Sequence, residues 1–246
     1  MLPKVSIITV TYNCVGDIES TMQSVFEQDY PNLEYIIIDG GSSDGTMDIV
    51  NRYKSRVSFL LSEADAGIYD AMNKGLKYAS GQWCAFMNAG DTFHQSDVIS
   101  RLFEGIPEES ELRVVYGNTA YIYPDGHAIA HPTADLNHLP RIISRYQPYC
   151  HQAVFYNISD KSDCQYDLRY EYAADYDVAC RYYKRYGISS YHYVPIQICN
   201  FKAYDGASTN VDNQYRLHKE VLLIKIRNRM CVMEIVKDTL RLIVHK

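Results

Sequence analysis

The first third of the chain alternates short apolar runs with stretches of helical spacing. Residues 5–11 (VSIITVT) are largely β-branched, the pattern of a strand buried on both faces. Tyr12-Asn13 ends it. Asp17 is placed to cap a helix reaching about residue 28, with Ile18, Met22, Val25 and Phe26 on one side. A second buried strand covers 33–38 and ends at Asp39. The turn-rich Gly40-Gly41-Ser42-Ser43-Asp44-Gly45 opens a helix carrying Met47, Ile49, Val50 and Tyr53. Strands at 57–61 and 83–87 flank a helix over 68–79. This alternation predicts βαβ units and a parallel sheet, whose ligands bind beyond the carboxyl ends of the strands. Polar residues gather at those ends: Thr11-Tyr12-Asn13, Asp39, Asp65, and Asn88 with Asp91.

After residue 113 the rhythm changes. Residues 114–123 and 127–130 predict a hairpin turning at Pro124-Asp125-Gly126, and 136–149 fits no single pattern. A strand is expected at 153–156 and a helix at 172–186. The strand-like 191–199 contains Pro195, which demotes it to an edge or broken strand. Residues 214–244 predict one long, partly amphipathic helix or a pair. No repeat or low-complexity linker interrupts the chain.

The 246 residues are 47% hydrophobic and 22% charged, which excludes global disorder. No apolar run reaches the roughly 18–20 residues of a membrane span. The opening Met1-Leu2-Pro3-Lys4 lacks the apolar core of a secretory signal, so a cytoplasmic location is expected. A net charge of −6 argues against nucleic acid as a partner. Seven Lys/Arg against three Asp/Glu over 219–246 give that tail +4 and leave −10 on the rest. Seven widely spaced cysteines without a CxxC pair predict neither a disulfide framework nor structural zinc.

Four constellations could carry chemistry. Asp39, at a strand end before two glycines, can accept from a base N–H or a ribose hydroxyl, while Asp44 suits a helix cap. Asp91 follows an apolar strand, where an oxygen-liganded magnesium or manganese ion could sit, or where the residue could simply cap a turn. Asp175 and Asp177 are spaced i and i+2, so they face different sides of a helix. Either could be a general base, and both would also complement a helix N-terminus. His151 and Gln152 offer an imidazole and an amide to a phosphate or a sugar hydroxyl. No GxGxxG or GxxxxGK[ST] occurs, which excludes the dinucleotide fingerprint and the P-loop.

Together, residues 5–13, 36–46, 65–75 and 81–91 resemble the family 2 glycosyltransferases with the GT-A fold, by the order and spacing of four motifs. Cys150-His151-Gln152 and Ala174-Asp175-Tyr176-Asp177 extend the resemblance more thinly into the second half. The 65–75 segment is most similar to the bacterial capsule and exopolysaccharide branch. The resemblance implies a mixed, mainly parallel α/β sheet flanked by helices. It implies one domain over 1–210, with a nucleotide-sugar half (1–112) and an acceptor half (113–210), before a basic helical segment over 211–246. Thr11, Tyr12 and Asp39 would hold the nucleoside, most simply uridine. Asp65, Asn73 and Asn88 would line the nucleotide and donor sugar, and His151 and Gln152 the acceptor or phosphate. Asp91 would hold a divalent manganese or magnesium ion, and Asp175 would be the base of an inverting transfer.

The family's acidic cluster is reduced here to Asn88-Ala89-Gly90-Asp91, so a nucleotide-sugar-binding protein without transfer activity is the alternative. A sugar-nucleotide pyrophosphorylase would need a Gly- and Arg-rich loop after the first strand, which 11–17 does not supply. The resemblance implies a saccharide or polyprenyl-linked acceptor and a closing loop over 201–208. The basic tail is expected either to pack on the domain or in a homodimer, or to lie on the anionic inner leaflet as a peripheral membrane helix, with Lys225, Arg227, Arg229, Lys237 and Arg241 as its charge.

Overall fold

A computed structural model describes residues 2–107, 109–202 and 213–244. In chain order the first elements are β1 (Val5–Thr11), α1 (Ile18–Phe26), β2 (Leu33–Asp39), α2 (Thr46–Arg52), β3 (Phe59–Ser62), α3 (Ile68–Tyr78) and β4 (Trp83–Phe86). Then come β5 (Thr92–Phe93), α4 (Val98–Phe103), β6 (Val114–Ile122), β7 (Ala128–His131), α5 (Leu139–Ile143), β8 (Val154–Asn157) and α6 (Lys161–Cys164). The last are α7 (Ala174–Tyr186), β9 (Tyr191–Lys202), α8 (Gln214–Arg227) and α9 (Val232–Val244).

Among the described residues the strands form one sheet in the order β3-β2-β1-β4-β8-β6-β9-β5, with β7 paired to β6. The first four run parallel, and β8 joins β4 antiparallel. Period-two alternation on β1 feeds two cores. Ile8 and Val10 pack with Met72, Leu76, Tyr156 and the α7 side, whereas Val5 and Ile7 pack with Met22, Val25, Trp83 and Phe103. The strand order reverses beside β1: β2 lies on one edge and β4 on the other. Residues 87–89 continue along β1 through Met87 N–H to Ile8 O (2.9 Å) and Ala89 N–H to Val10 O (3.2 Å).

One local expectation is corrected. Asp17 stands at the start of α1 without a side-chain capping bond, because its carboxylate is taken by the Lys202 ammonium. The strand with Pro195 is an edge at that point, as expected: β9 pairs β6, and β5 joins it only at Cys199 and Asn200. Its register slips opposite Gly117, so Pro195 falls where no ladder donor is required. The tail is a pair of helices, one of the two forms expected, parted where Arg229 takes a left-handed φ of 50°. Asp44, one position before the N-cap Gly45, serves the start of α2 by accepting from Thr46 N–H at 2.9 Å.

The tail's charge is also less free than composition suggests. Lys225 is buried and paired with Asp238 at 2.5 Å. Arg227 pairs with Asp167, and Lys237 with Glu234. Ile224 and Met230 are buried, whereas Leu223, Ile226, Met233 and Val236 are exposed. The Arg241 side chain and positions 203–208 of the expected closing loop lie outside the described residues. No helix among the described residues is long and apolar enough to cross a membrane.

Gly117 is a close-approach position: a Cβ there would stand 2.7 Å from Val194 O and 2.9 Å from Ile196 O. Backbone oxygens in a ladder cannot swing aside. Gly117→Ala is therefore expected to lower stability by about 2 kcal/mol in urea unfolding. Gly16→Ala, with open space around it, should change stability by less than about 0.5 kcal/mol.

Candidate active site

The parallel strands deliver two clusters of polar residues to one end of the sheet. The first gathers at the ends of β1, β2 and β3. Tyr12 stands 62% exposed just past β1. Gly40 lies between it and Asp65: a Cβ on Gly40 would meet Asp65 Oδ2 at 2.5 Å and Tyr12 Cδ2 at 3.3 Å. The glycine thus lets a ring and a carboxylate converge. Asp39 is wholly buried and accepts from Gly41 N–H (3.1 Å), Ser42 N–H (3.0 Å), Ser42 Oγ (2.5 Å) and Ser62 Oγ (2.6 Å). Its carboxylate shapes the loop that follows it. Asp65 holds Gly67 N–H at 2.9 Å. Thr11 Oγ1 is buried with no partner among the described residues, an open hydrogen-bonding position at the strand end.

The second cluster lines a cavity of about 1890 Å³ between the strand ends, the β6–β7 hairpin, α5, α7 and α8. Asn88, Asp91, His151, Gln152 and Asp175 all face it, although they come from separate parts of the chain. Thr11, Tyr12, Asp39 and Asp65 belong to the first cluster instead. The two adjoin through Cys14, which lines the cavity while its thiol donates to Tyr12 O at 3.3 Å.

Asp175 is half-buried in the first turn of α7. Its Oδ1 accepts from Tyr176 N–H at 2.9 Å and from the Tyr69 hydroxyl at 3.3 Å, and its Oδ2 from the Gln147 amide at 3.4 Å. Burial pushes its carboxyl up to about 6, against the pull of the Tyr176 and Tyr69 bonds. Asp177 differs. It is 2% exposed and held by Arg181 Nε and Asn228 Nδ2, each at 2.9 Å. That carboxylate joins α7 to α8 and does not line the cavity.

Asp91 is 5% exposed and accepts from Lys202 N–H at 3.0 Å. Burial pushes its carboxyl up to about 7, opposed by the Lys202 N–H, the Lys202 charge and the Gln152 amide. His151 stacks on Phe86 and meets the Tyr166 hydroxyl at 3.3 Å. Burial holds its imidazole down at about 4, so near neutral pH it is uncharged. It can exchange a hydrogen bond with a sugar hydroxyl, but it cannot serve as a cation for phosphate. Its Nδ1 has no partner among the described residues.

Asn73 brackets a backbone segment. Its Nδ2 donates to Tyr166 O at 2.9 Å and its Oδ1 accepts from Tyr166 N–H at 2.8 Å. This bracket fixes Tyr166, which stacks on Tyr69 with centroids 5.3 Å apart, and Tyr69 in turn meets Asp175. Tyr69, Gln147 and Lys202 were not singled out from the sequence. Tyr69 lies inside the 65–75 motif, where its helical setting masks its role; Gln147 sits in a segment without periodicity.

The oxygen set near Asp91 is small. Among the described residues no group of three or more His, Cys, Asp or Glu side chains could hold a metal. Asn88 Oδ1, however, is buried without a partner among the described residues. Asp91 and Asn88 fit an ion that takes most of its ligands from a diphosphate and water, as magnesium and manganese do. They do not fit an ion held by protein alone.

Residues 6–176 match the family model for glycosyl transferase family 2. The chain belongs to that family, and it is a glycosyltransferase. A PGL/p-HBAD biosynthesis glycosyltransferase of Mycobacterium bovis is 28% identical over 218 residues, covering 87% of this chain and 82% of its own. The putative teichuronic acid biosynthesis glycosyltransferase TuaG of Bacillus subtilis is 37% identical over 111 residues, 44% of each chain. Among solved structures, S. aureus TarS 1–349 in complex with UDP-GlcNAc superposes with a TM-score of 0.69 at 18% identity. That match covers 90% of this chain and 66% of the TarS segment. The mannosyltransferase PcManGT from Pyrobaculum calidifontis, in complex with GDP-Man and Mn2+, gives 0.64 at 15% identity over 92% of this chain and 64% of its own. These likenesses are of fold, and the fold is the GT-A type.

The bracket on Tyr166 predicts a separable effect. Asn73→Ala should destabilise the protein by about 2 kcal/mol, through two backbone groups left unpaired. It should leave the affinity for nucleotide little changed by calorimetry; a selective loss of nucleotide binding would return Asn73 to the donor side.

Proposed function

We propose that this chain is an inverting glycosyltransferase that moves a sugar from a nucleotide-sugar donor, most simply a UDP-sugar, to a saccharide or lipid-linked acceptor in surface polysaccharide or glycolipid synthesis. The observation that carries the reading is Asp175. It is a carboxylate on the wall of the same cavity that residues 88–91 line, with its pKa raised to about 6 by burial. A general base works best when its pKa lies near the working pH, because it is then both ionised and basic enough.

In this mechanism Tyr12 stacks on the nucleobase, while Thr11, Asp39 and Asp65 hydrogen-bond the nucleoside. Asp39 must share a carboxylate already engaged by its own loop, which orients it in advance. Asp91 and Asn88 would hold a divalent ion against the diphosphate. When bound, that ion neutralises charge on the leaving group. Asp175 takes the proton of the acceptor hydroxyl as that oxygen bonds to the anomeric carbon. The bond from that carbon to the diphosphate oxygen breaks, and its electron pair leaves with the nucleoside diphosphate. A single base on the face opposite the leaving group gives inversion. Tyr69 and Gln147 keep the Asp175 carboxylate aimed, and His151 and Gln152 contribute neutral hydrogen bonds on the acceptor side.

A lipid-linked acceptor is supported by two features. Leu223, Ile226, Met233 and Val236 leave apolar side chains exposed on α8 and α9, while Leu217 and Val221 of α8 line the cavity. Relatives named for PGL/p-HBAD and teichuronic acid biosynthesis point to cell-surface products.

Asp175→Asn should abolish transfer yet leave binding of UDP or GDP intact in a thermal-shift panel run with manganese, magnesium or EDTA. Loss of binding together with transfer would favour a structural role, and full transfer would remove Asp175 as the base. With Asp175 as base, kcat should fall about tenfold per pH unit on the acid side of about 6, because only the ionised carboxylate accepts a proton. A profile flat down to pH 4 would contradict it. The metal-dependent part of the shift should appear only with nucleotide present and vanish in Asp91→Asn.

A further inference from the structure

Helix α7 begins without a cap of its own. Its N-cap residue is Ala173, which makes no side-chain capping bond. The backbone just before it is nevertheless satisfied from another element. Glu171 N–H donates to Glu220 Oε1 at 2.8 Å, and Tyr172 and Ala173 N–H donate to Glu220 Oε2 at 2.9 and 3.0 Å. Three successive N–H groups thus close around one carboxylate. The anion they hold is a side chain of α8, placed at the positive end of a 13-residue helix. A second tie from α8 runs beside it, where the Tyr172 hydroxyl reaches Asn213 Oδ1 at 3.2 Å.

Asp175 is the second residue of α7, two positions beyond the last of these N–H groups. A first-turn residue has no intrahelical N–H bond to hold its backbone. Its C=O bonds forward into α7, so its N–H side is set by whatever holds the segment upstream, and here Glu220 holds residues 171–173. Charge-assisted bonds of this kind are about twice as strong as neutral ones.

We propose that Glu220 is a positioning residue for glycosyl transfer: its grip on residues 171–173 sets where the Asp175 carboxylate stands relative to Tyr69, Gln147 and the cavity. The inference rests on the reading of Asp175 as the base. It makes α8 part of the catalytic machinery, although the sequence presents it as the start of a basic tail.

The test compares Glu220→Ala with Glu220→Gln, which keeps acceptor oxygen and drops the charge. Both are assayed at temperatures where melting curves show every variant folded. Turnover is read as nucleoside diphosphate released from UDP-glucose, UDP-N-acetylglucosamine or GDP-mannose, whichever the wild type uses, with water as acceptor. Glu220→Ala is expected to lower kcat about 10- to 100-fold, the scale on which mis-set reacting groups lose rate, with the donor KM little changed. Glu220→Gln should recover most of that loss. Amide hydrogen exchange at residues 171–176 should rise in Glu220→Ala, a readout that needs no substrate. Wild-type kcat in Glu220→Ala, unchanged amide protection there, or a rise in donor KM matching the fall in kcat would each overturn the inference. Failure of the underlying base assignment looks different: Asp175→Asn would keep its turnover whatever Glu220 does. An inactive Asp175→Asn beside a fully active Glu220→Ala would sink the Glu220 inference alone.

Discussion

Strand β1 is paired on both edges and packed on both faces, so its carboxyl end is where a ligand can approach the middle of the sheet. The burial of Val5, Ile7, Ile8 and Val10 on alternate sides commits the strand to the centre of two cores. With β2 on one edge and β4 on the other, the loops after all three strands leave at the same end. The strand-order reversal opens a crevice there, and the polar ends of the strands line it. The residue that each loop offers follows from that geometry: an exposed ring after β1, a buried carboxylate closing β2, and an amide and a second carboxylate after β4.

The site is assembled in layers of support. Asp39 is spent on organising its own loop, and Gly40 lets Tyr12 and Asp65 approach each other. On the opposite side, Asn73 brackets Tyr166, Tyr166 stacks on Tyr69, and Tyr69 meets Asp175. Glu220 holds the backbone of residues 171–173, just upstream of that carboxylate. A carboxylate raised to about 6 by burial is costly to keep ionised, and several hydrogen bonds offset that cost without pulling the group back to the ordinary carboxylate range. The neutral His151 nearby adds no positive charge that would lower it further.

The parallel half of the fold was legible in the chain because each strand there is a contiguous apolar run and each helix keeps its period. Beyond β4 most elements were legible too, but their pairing and the shortest pieces were not, for identifiable reasons. Strand β9 tolerates Pro195 because it has a single partner strand there and the register slips opposite Gly117, which depends on a strand some 75 residues away. The short strand β5 and helix α4 are too brief to show a period. The tail's basic residues suggested a charged surface, yet Lys225 is buried against Asp238 and Arg227 is paired with Asp167.

The sequence by itself determined the order of strands and helices, the family resemblance, and which residues stand at the strand ends. Local pattern carries all of these, because strand and helix periods are properties of neighbouring residues. Only the tertiary structure decided which of two nearby carboxylates faces the cavity. Asp175 and Asp177 look alike in sequence, but packing turns one toward Tyr69 and Gln147 and the other into Arg181 and Asn228. It also decided that Asn73 is a bracket, that His151 is neutral, and that Glu220 reaches the start of α7. Each of these depends on burial and on partners tens of residues away, which spacing along the chain does not encode.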